Sequence, residues 1–240
     1  MEELADIITH LNELRTRILW SLLFLVIGII IGWFIFPFLY EYISAPVLKA
    51  VAAKHGEIIS TTTTGPLFTM MNVALIAGVA ISLPFILWQL WLFIRPGLHP
   101  HEQRAMGPFV PAIGVLFLFG ILLAYYMLPV TVSFLLSFYP SDVKPLIDYQ
   151  HALEMPIKFM LSFGLAFQLP IIMFGLVKLR IISAEWLLKQ WRFAIVIISI
   201  IAAIVTPTPD PFNMSLVMIP LIILYFITAL FARRIGGVEK

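Results

Sequence analysis

The sequence predicts an all-α polytopic membrane protein, one bundle of six spanning helices over residues 1–240. Three observations carry that expectation. Hydrophobic residues make up 61% of the chain and charged residues 12%. Several apolar runs reach the roughly 20 residues that a helix needs to cross a bilayer. Polar breaks rich in Pro, Gly and charge separate those runs, so the chain leaves the membrane and returns rather than continuing as one helix.

Residues 2–17 read as an amphipathic surface helix. Leu4, Ile7, Ile8, Leu11 and Leu14 recur at helical spacing, and Glu3, Asp6, His10, Glu13 and Arg17 line the other face. The first span covers 18–40. It follows an acidic start (Glu2, Glu3, Asp6), is too long for a signal-peptide core and lacks a small-residue cleavage site, so it is expected to stay. Residues 41–65 read as a mixed loop in which Lys49 belongs to a short amphipathic piece and Thr61–Thr64 favour extended backbone. The second span is 66–93. The third is 107–138, with Pro129 as its expected kink. The loop 139–151 leads to a fourth span, 155–177. Ser183-Ala184-Glu185 marks a helix start before the fifth span, 191–206. Pro207–Pro211 turns the chain into the sixth, 212–231, with Asp210 as its cap and Pro211 as its first residue. The fifth span offers only Phe193–Val205 between Arg192 and Pro207. At about 1.5 Å per residue that is about 20 Å, against a hydrocarbon core of about 30 Å. Either Lys189 and Arg192 snorkel from the interface or the bilayer thins locally.

Six spans put both termini on one face, and charge indicates which. Arg15, Arg17, Arg95, Arg104, Lys178, Arg180, Lys189, Arg192, Arg233, Arg234 and Lys240 fall on that face, leaving Lys49, Lys54, Lys144 and Lys158 for the other. The positive-inside rule then makes both termini cytoplasmic, in a cell membrane.

The same composition narrows function. With no cysteine there is no thiol chemistry or thiolate metal site. His99-x-His101 lies on a turn with no third ligand placed by sequence, so no metal or other cofactor is expected. No nucleophile elbow, His-Glu-x-x-His or paired intramembrane carboxylate supports an enzyme. A net charge of +2 is too small to imply nucleic acid. A small-molecule transporter or channel remains the alternative, although the spans lack the mid-depth ionisable residues that ion coupling uses. Gln168 in the fourth span either bonds a helix carbonyl or faces a polar groove and a partner; Asn72 and Gln89 share that ambiguity. Two acids stand on the cytoplasmic face in a basic frame: Glu13, with Arg17 four residues on, and Glu102, between two histidines and Arg104. An exposed ion pair is worth only about 0.2–1 kcal/mol, so Arg17 would not withhold Glu13 from a better partner. Two such carboxylates can each receive a guanidinium bidentately.

The motifs resemble a known family. His10-Leu11-Asn12-Glu13-Leu14-Arg15-Thr16-Arg17 is similar to the start of TatC proteins, and Trp91-Leu92-Phe93-Ile94-Arg95-Pro96-Gly97-Leu98 with His101-Glu102-Gln103-Arg104 resembles their first cytoplasmic loop. Ser44-Ala45-Pro46, Phe163-Gly164 through Phe167 and Pro170, and Thr206-Pro207 through Asp210 also match. The resemblance implies a curved, concave wall of six helices with the last two spans short. It implies the receptor of the twin-arginine translocase, which moves folded proteins by the proton-motive force. Implied partners are twin-arginine signal peptides, TatA- and TatB-type single-span subunits, and further copies in a larger complex. Glu13 and Glu102 are then the arginine-binding acids. His10, Leu14, Arg15, Arg17, Phe93, Pro96, His101 and Arg104 support them, Pro46 matters on the outer face, and Gln168 is an intramembrane contact. Two departures stand out: Gln168 where the family usually has glutamate, and Phe226 where some members have one.

Overall fold

The computed structural model describes residues 2–94, 109–140, 142–179, 181–206, 208 and 210–236. Among these residues, five helical stretches are long and apolar enough to cross a membrane, and Trp191–Val205 is a shorter apolar helix. The chain is an all-α membrane fold, and the short penultimate helix is where its sequence places it.

Helix α1 runs unbroken from Glu2 to Phe34, so the surface segment and the first span are one element. Neither Gly nor Pro interrupts 17–27, and the hydroxyls of Thr16 and Ser21 are satisfied by the carbonyls of Asn12 and Arg17. The helix ends at Ile35 because Pro37 has no N–H and its ring crowds the carbonyl four residues back. Helix α2 then spans Phe36–Ala52, where the sequence reading expected the first span to end at 40 and a mixed loop to begin at 41. Pro46 lies inside it. The Tyr42 carbonyl, which Pro46 cannot serve, accepts a bond from the Tyr125 hydroxyl at 3.3 Å instead. That bond, together with the burial of Ile43, Val47 and Val51 against three later helices, supports a helix that local pattern argues against.

The chain leaves α2 through His55, which takes a left-handed φ of 54°. Strand β1 (Glu57–Ile59) pairs in parallel with β2 (Leu146–Asp148), Ile58 facing Ile147. Helix α3 covers Gly65–Ile94 and α4 covers Phe109–Ser137. Helix α5 (Tyr149–Ala166) begins six residues before the expected 155 and continues after a break as α6 (Leu169–Lys178). The short α7 (Ala184–Lys189) has Ser183 as its cap, with the Trp186 N–H donating to the Ser183 hydroxyl at 3.0 Å. It leads into α8 (Trp191–Val205) and α9 (Pro211–Gly236). Asp210 caps α9 as expected: its carboxylate accepts the Asn213 backbone N–H at 2.8 Å and the Thr208 hydroxyl at 2.6 Å. Helix α9 outruns the expected 231. Arg233 and Arg234 in its last turn suit the negative end of the helix dipole and let it continue.

Two packing centres hold the bundle. Phe163 and Phe167 of α5 and its end, Leu128 of α4, Ala202 of α8 and Val217 of α9 form the larger core. Helix α1 packs almost entirely along α3. Glycines bring these two helices together: a Cβ built on Gly28 would lie 2.5 Å from the Gly78 carbonyl oxygen, and one on Gly78 would lie 2.6 Å from the Ile29 backbone.

Asp148 ties the loops around β1 and β2 to α5. It accepts the Gln150 N–H at 2.8 Å and the Thr61 hydroxyl at 2.7 Å. The Thr61 bond, then the Gln150 bond, hold its carboxyl below the usual aspartate value. A group depressed in the folded state stabilises above its unfolded pKa of about 3.9, and loses that contribution as pH falls through the lower folded value. Amide protection of residues 57–61 and 146–150 is therefore expected to drop on acidification below about pH 4. Asp148→Asn is expected to flatten that drop, and an unchanged acid response in the variant would contradict the assignment.

Candidate functional site

His10, Glu13, Leu14 and Arg17 recur at i, i+3, i+4 and i+7, one face of α1. Glu13 and Arg17 turn toward the end of α3 and are partly covered; Leu14 is at the edge of exposure, and Leu11 and Arg15 are exposed. The His10 ring stacks on Phe93 with centroids 4.5 Å apart and planes 27° apart. Arg17 spans two acceptors: one terminal nitrogen meets Glu13 Oε1 at 3.2 Å and the other meets Gln89 Oε1 at 3.3 Å. Both distances sit at the long end of the hydrogen-bond range. The Arg17 Nε is buried and has no hydrogen-bond partner among the described residues. Glu13 Oε2 accepts no hydrogen bond from any described residue.

The side chains of Glu13 and Arg17 are 27% and 28% exposed, so the pair is only partly dried. Such a pair is easily exchanged. Gln89 was legible in the sequence only as an isolated polar residue. Its role depends on α1 lying along α3, a contact 72 residues apart in the chain. Helix α3 ends at Ile94, one residue beyond the Phe93 ring that meets α1. Pro96, His101, Glu102 and Arg104 lie outside the described residues.

The other expected residues are elsewhere. Pro46 is buried within α2. Gln168 sits at the α5–α6 break, 5% exposed. Its backbone N–H bonds the Leu165 carbonyl rather than Gly164, and its amide donates to the freed Gly164 carbonyl at 3.4 Å and to Ile113 of α4 at 3.3 Å. An amide suits this position because it donates to both carbonyls, which an ionised glutamate could not do. Phe226 packs on the larger core beside Tyr225.

Sequence reasoning passed over Glu154. Because α5 starts early, Glu154 falls in its second turn, 9% exposed. It accepts from Asn72 at 2.7 Å and Gln150 at 2.8 Å, and pairs with Lys158 at 2.6 Å. The spacing Gln150, Glu154, Lys158, each four apart, carried that signal. No group of three or more His, Cys, Asp or Glu capable of holding a metal occurs among the described residues.

Comparison with known proteins places this arrangement in context. Residues 9–220 match the family model for the Sec-independent protein translocase protein (TatC). The chain is 38% identical to the Sec-independent protein translocase protein TatC of Deinococcus radiodurans over 232 residues, covering 95% of this chain and 86% of the relative. It is 34% identical to that of Aquifex aeolicus over 238 residues, covering 96% and 98%. A crystal structure of the twin arginine translocase receptor TatC in DDM superposes with a TM-score of 0.81 at 34% identity, covering 93% of this chain and 99% of the other.

Proposed function

The chain belongs to the TatC family of Sec-independent protein translocase proteins, a protein-transport component of the Tat pathway, and from that premise we propose that it is the receptor for twin-arginine signal peptides. Glu13 and Glu102 each grip one guanidinium. The observation that carries this reading is the Glu13–Arg17–Gln89 geometry: one Glu13 oxygen accepts no hydrogen bond from any described residue, and Arg17 already has a second acceptor in Gln89. An incoming arginine takes Glu13, and Arg17 falls back on Gln89. Glu102 lies nine residues beyond Phe93, within about 30 Å of extended chain, so it can reach the same peptide. Exposed Leu11 and the half-exposed Leu14 offer apolar surface to the residues beside the arginines.

In this reading the protein sits in the cytoplasmic membrane with both termini in the cytoplasm. It works with TatA- and TatB-type subunits and further copies of itself, and the proton-motive force drives export of folded precursors. His10, Arg15, Phe93, Pro96, His101 and Arg104 shape the binding face and Pro46 the outer face, while Gln168, with its amide on Ile113 and Gly164, braces α4 against the α5–α6 break rather than meeting a partner helix.

The choice of arginine supplies the test. Lysine cannot make the planar two-pronged contact with a carboxylate. A signal peptide with paired lysines is expected to bind the reconstituted protein about tenfold or more weaker than the paired-arginine form. Equal affinity would overturn the proposed recognition.

A further inference from the structure

Leu169, Met173 and Leu176 of α6 face Ala194 and Ile197 of α8 across a groove of about 340 Å³, with Tyr225 of α9 at its back. We propose that this groove binds one acyl chain of an anionic phospholipid, whose headgroup rests at the α7 end.

Four features identify the occupant. The walls are apolar, and the Tyr225 hydroxyl is already spent on the Leu187 carbonyl, so a peptide backbone would find almost nothing to bond there. The volume lies at the small end of ligand pockets, wide enough for a hydrocarbon chain but not for a helix about 10–12 Å across. Phe193 and Ile197 on the rim are exposed, which leaves the groove open to the bilayer. Charge gathers at one end: Lys178, Lys189 and Arg192 each lie within two residues of a wall residue, and Glu185 is the one acid in the segment 178–192. Basic residues between spanning helices at that level attract anionic headgroups. Trp186, half exposed at the same end, is the residue type that marks the headgroup boundary, and the Gln190 amide can donate to phosphate or ester oxygens.

The test uses the full chain in phosphatidylcholine vesicles doped with phosphatidylglycerol that carries a photoreactive group midway along its acyl chain. Adducts on 169–176 and 193–198 are expected to exceed those on the exposed α1 residues Leu19, Leu23 and Val26 by about tenfold. Unlabelled phosphatidylglycerol is expected to compete them away where unlabelled phosphatidylcholine does not. Lys189→Gln with Arg192→Gln is expected to erase that preference while adducts persist. Ala194→Trp is expected to reduce groove adducts and leave those on α1 unchanged. Even labelling of α1 and the groove, equal competition by phosphatidylcholine, or crosslinks from a second copy into the groove would each overturn the proposal. The wild-type measurements decide the matter even if Ala194→Trp fails to fold.

Discussion

Glu13→Gln is expected to weaken binding of a twin-arginine peptide by about 10- to 150-fold, the factor corresponding to a charge-assisted bond worth roughly 1.5–3 kcal/mol. Glutamine keeps one acceptor oxygen but loses the charge and the symmetric pair of oxygens that a guanidinium fork requires. The fold is expected to survive, because the lost Arg17 pair is partly exposed and Gln89 still holds Arg17. Glu102→Gln is expected to act in the same direction. Binding is read with a fluorescent signal peptide and the reconstituted protein. Wild-type affinity in Glu13→Gln would mean that this carboxylate does not carry recognition.

Gly78→Leu is expected to cost about 1–3 kcal/mol or more of stability and to abolish peptide binding with it. The new Cβ would lie 2.6 Å from the Ile29 backbone, and the backbone of α1 cannot step aside without parting from α3. That parting also separates His10 and Arg17 from Phe93 and Gln89, so the site is lost together with the helix contact. Gly114→Leu is the control: no described residue lies within 4 Å of a Cβ there. Denaturation of the two variants in a mixed-detergent titration separates them. Equal stability would show that α1 and α3 tolerate a wider spacing than their contact implies.

Both predictions rest on features with different legibility in the sequence. The spanning helices could be read from apolar length, and the Asp210 cap followed from Pro211 behind it. The Glu13–Arg17 pair could be read because residues four apart on a helix meet. Helix α2 could not: its residues look like a mixed loop with an internal proline, and what holds it is long-range, the packing of Ile43, Val47 and Val51 against α3, α4 and α5, with the Tyr125 hydroxyl serving the carbonyl that Pro46 leaves open. The β1–β2 pairing joins two three-residue segments, too short for any alternation to register. Gln89 and Asn72 were visible as polar residues in apolar runs, but their partners, Arg17 and Glu154, are set by which helices lie side by side. Local chemistry was therefore readable from spacing, whereas long-range pairing waited on the packing of α1 and α5 against α3.

The central claim is that one short peptide reaches both Glu13 and Glu102, and crosslinking from the arginines themselves measures this most directly. A signal peptide carrying a photoreactive residue in place of each arginine in turn is bound to the reconstituted protein, and the adducts are mapped. The account predicts adducts confined to residues 10–17 and 95–104, with the two peptide positions dividing between these segments. Adducts around 57–66 or 140–150, or in only one of the two segments from both positions, would contradict it.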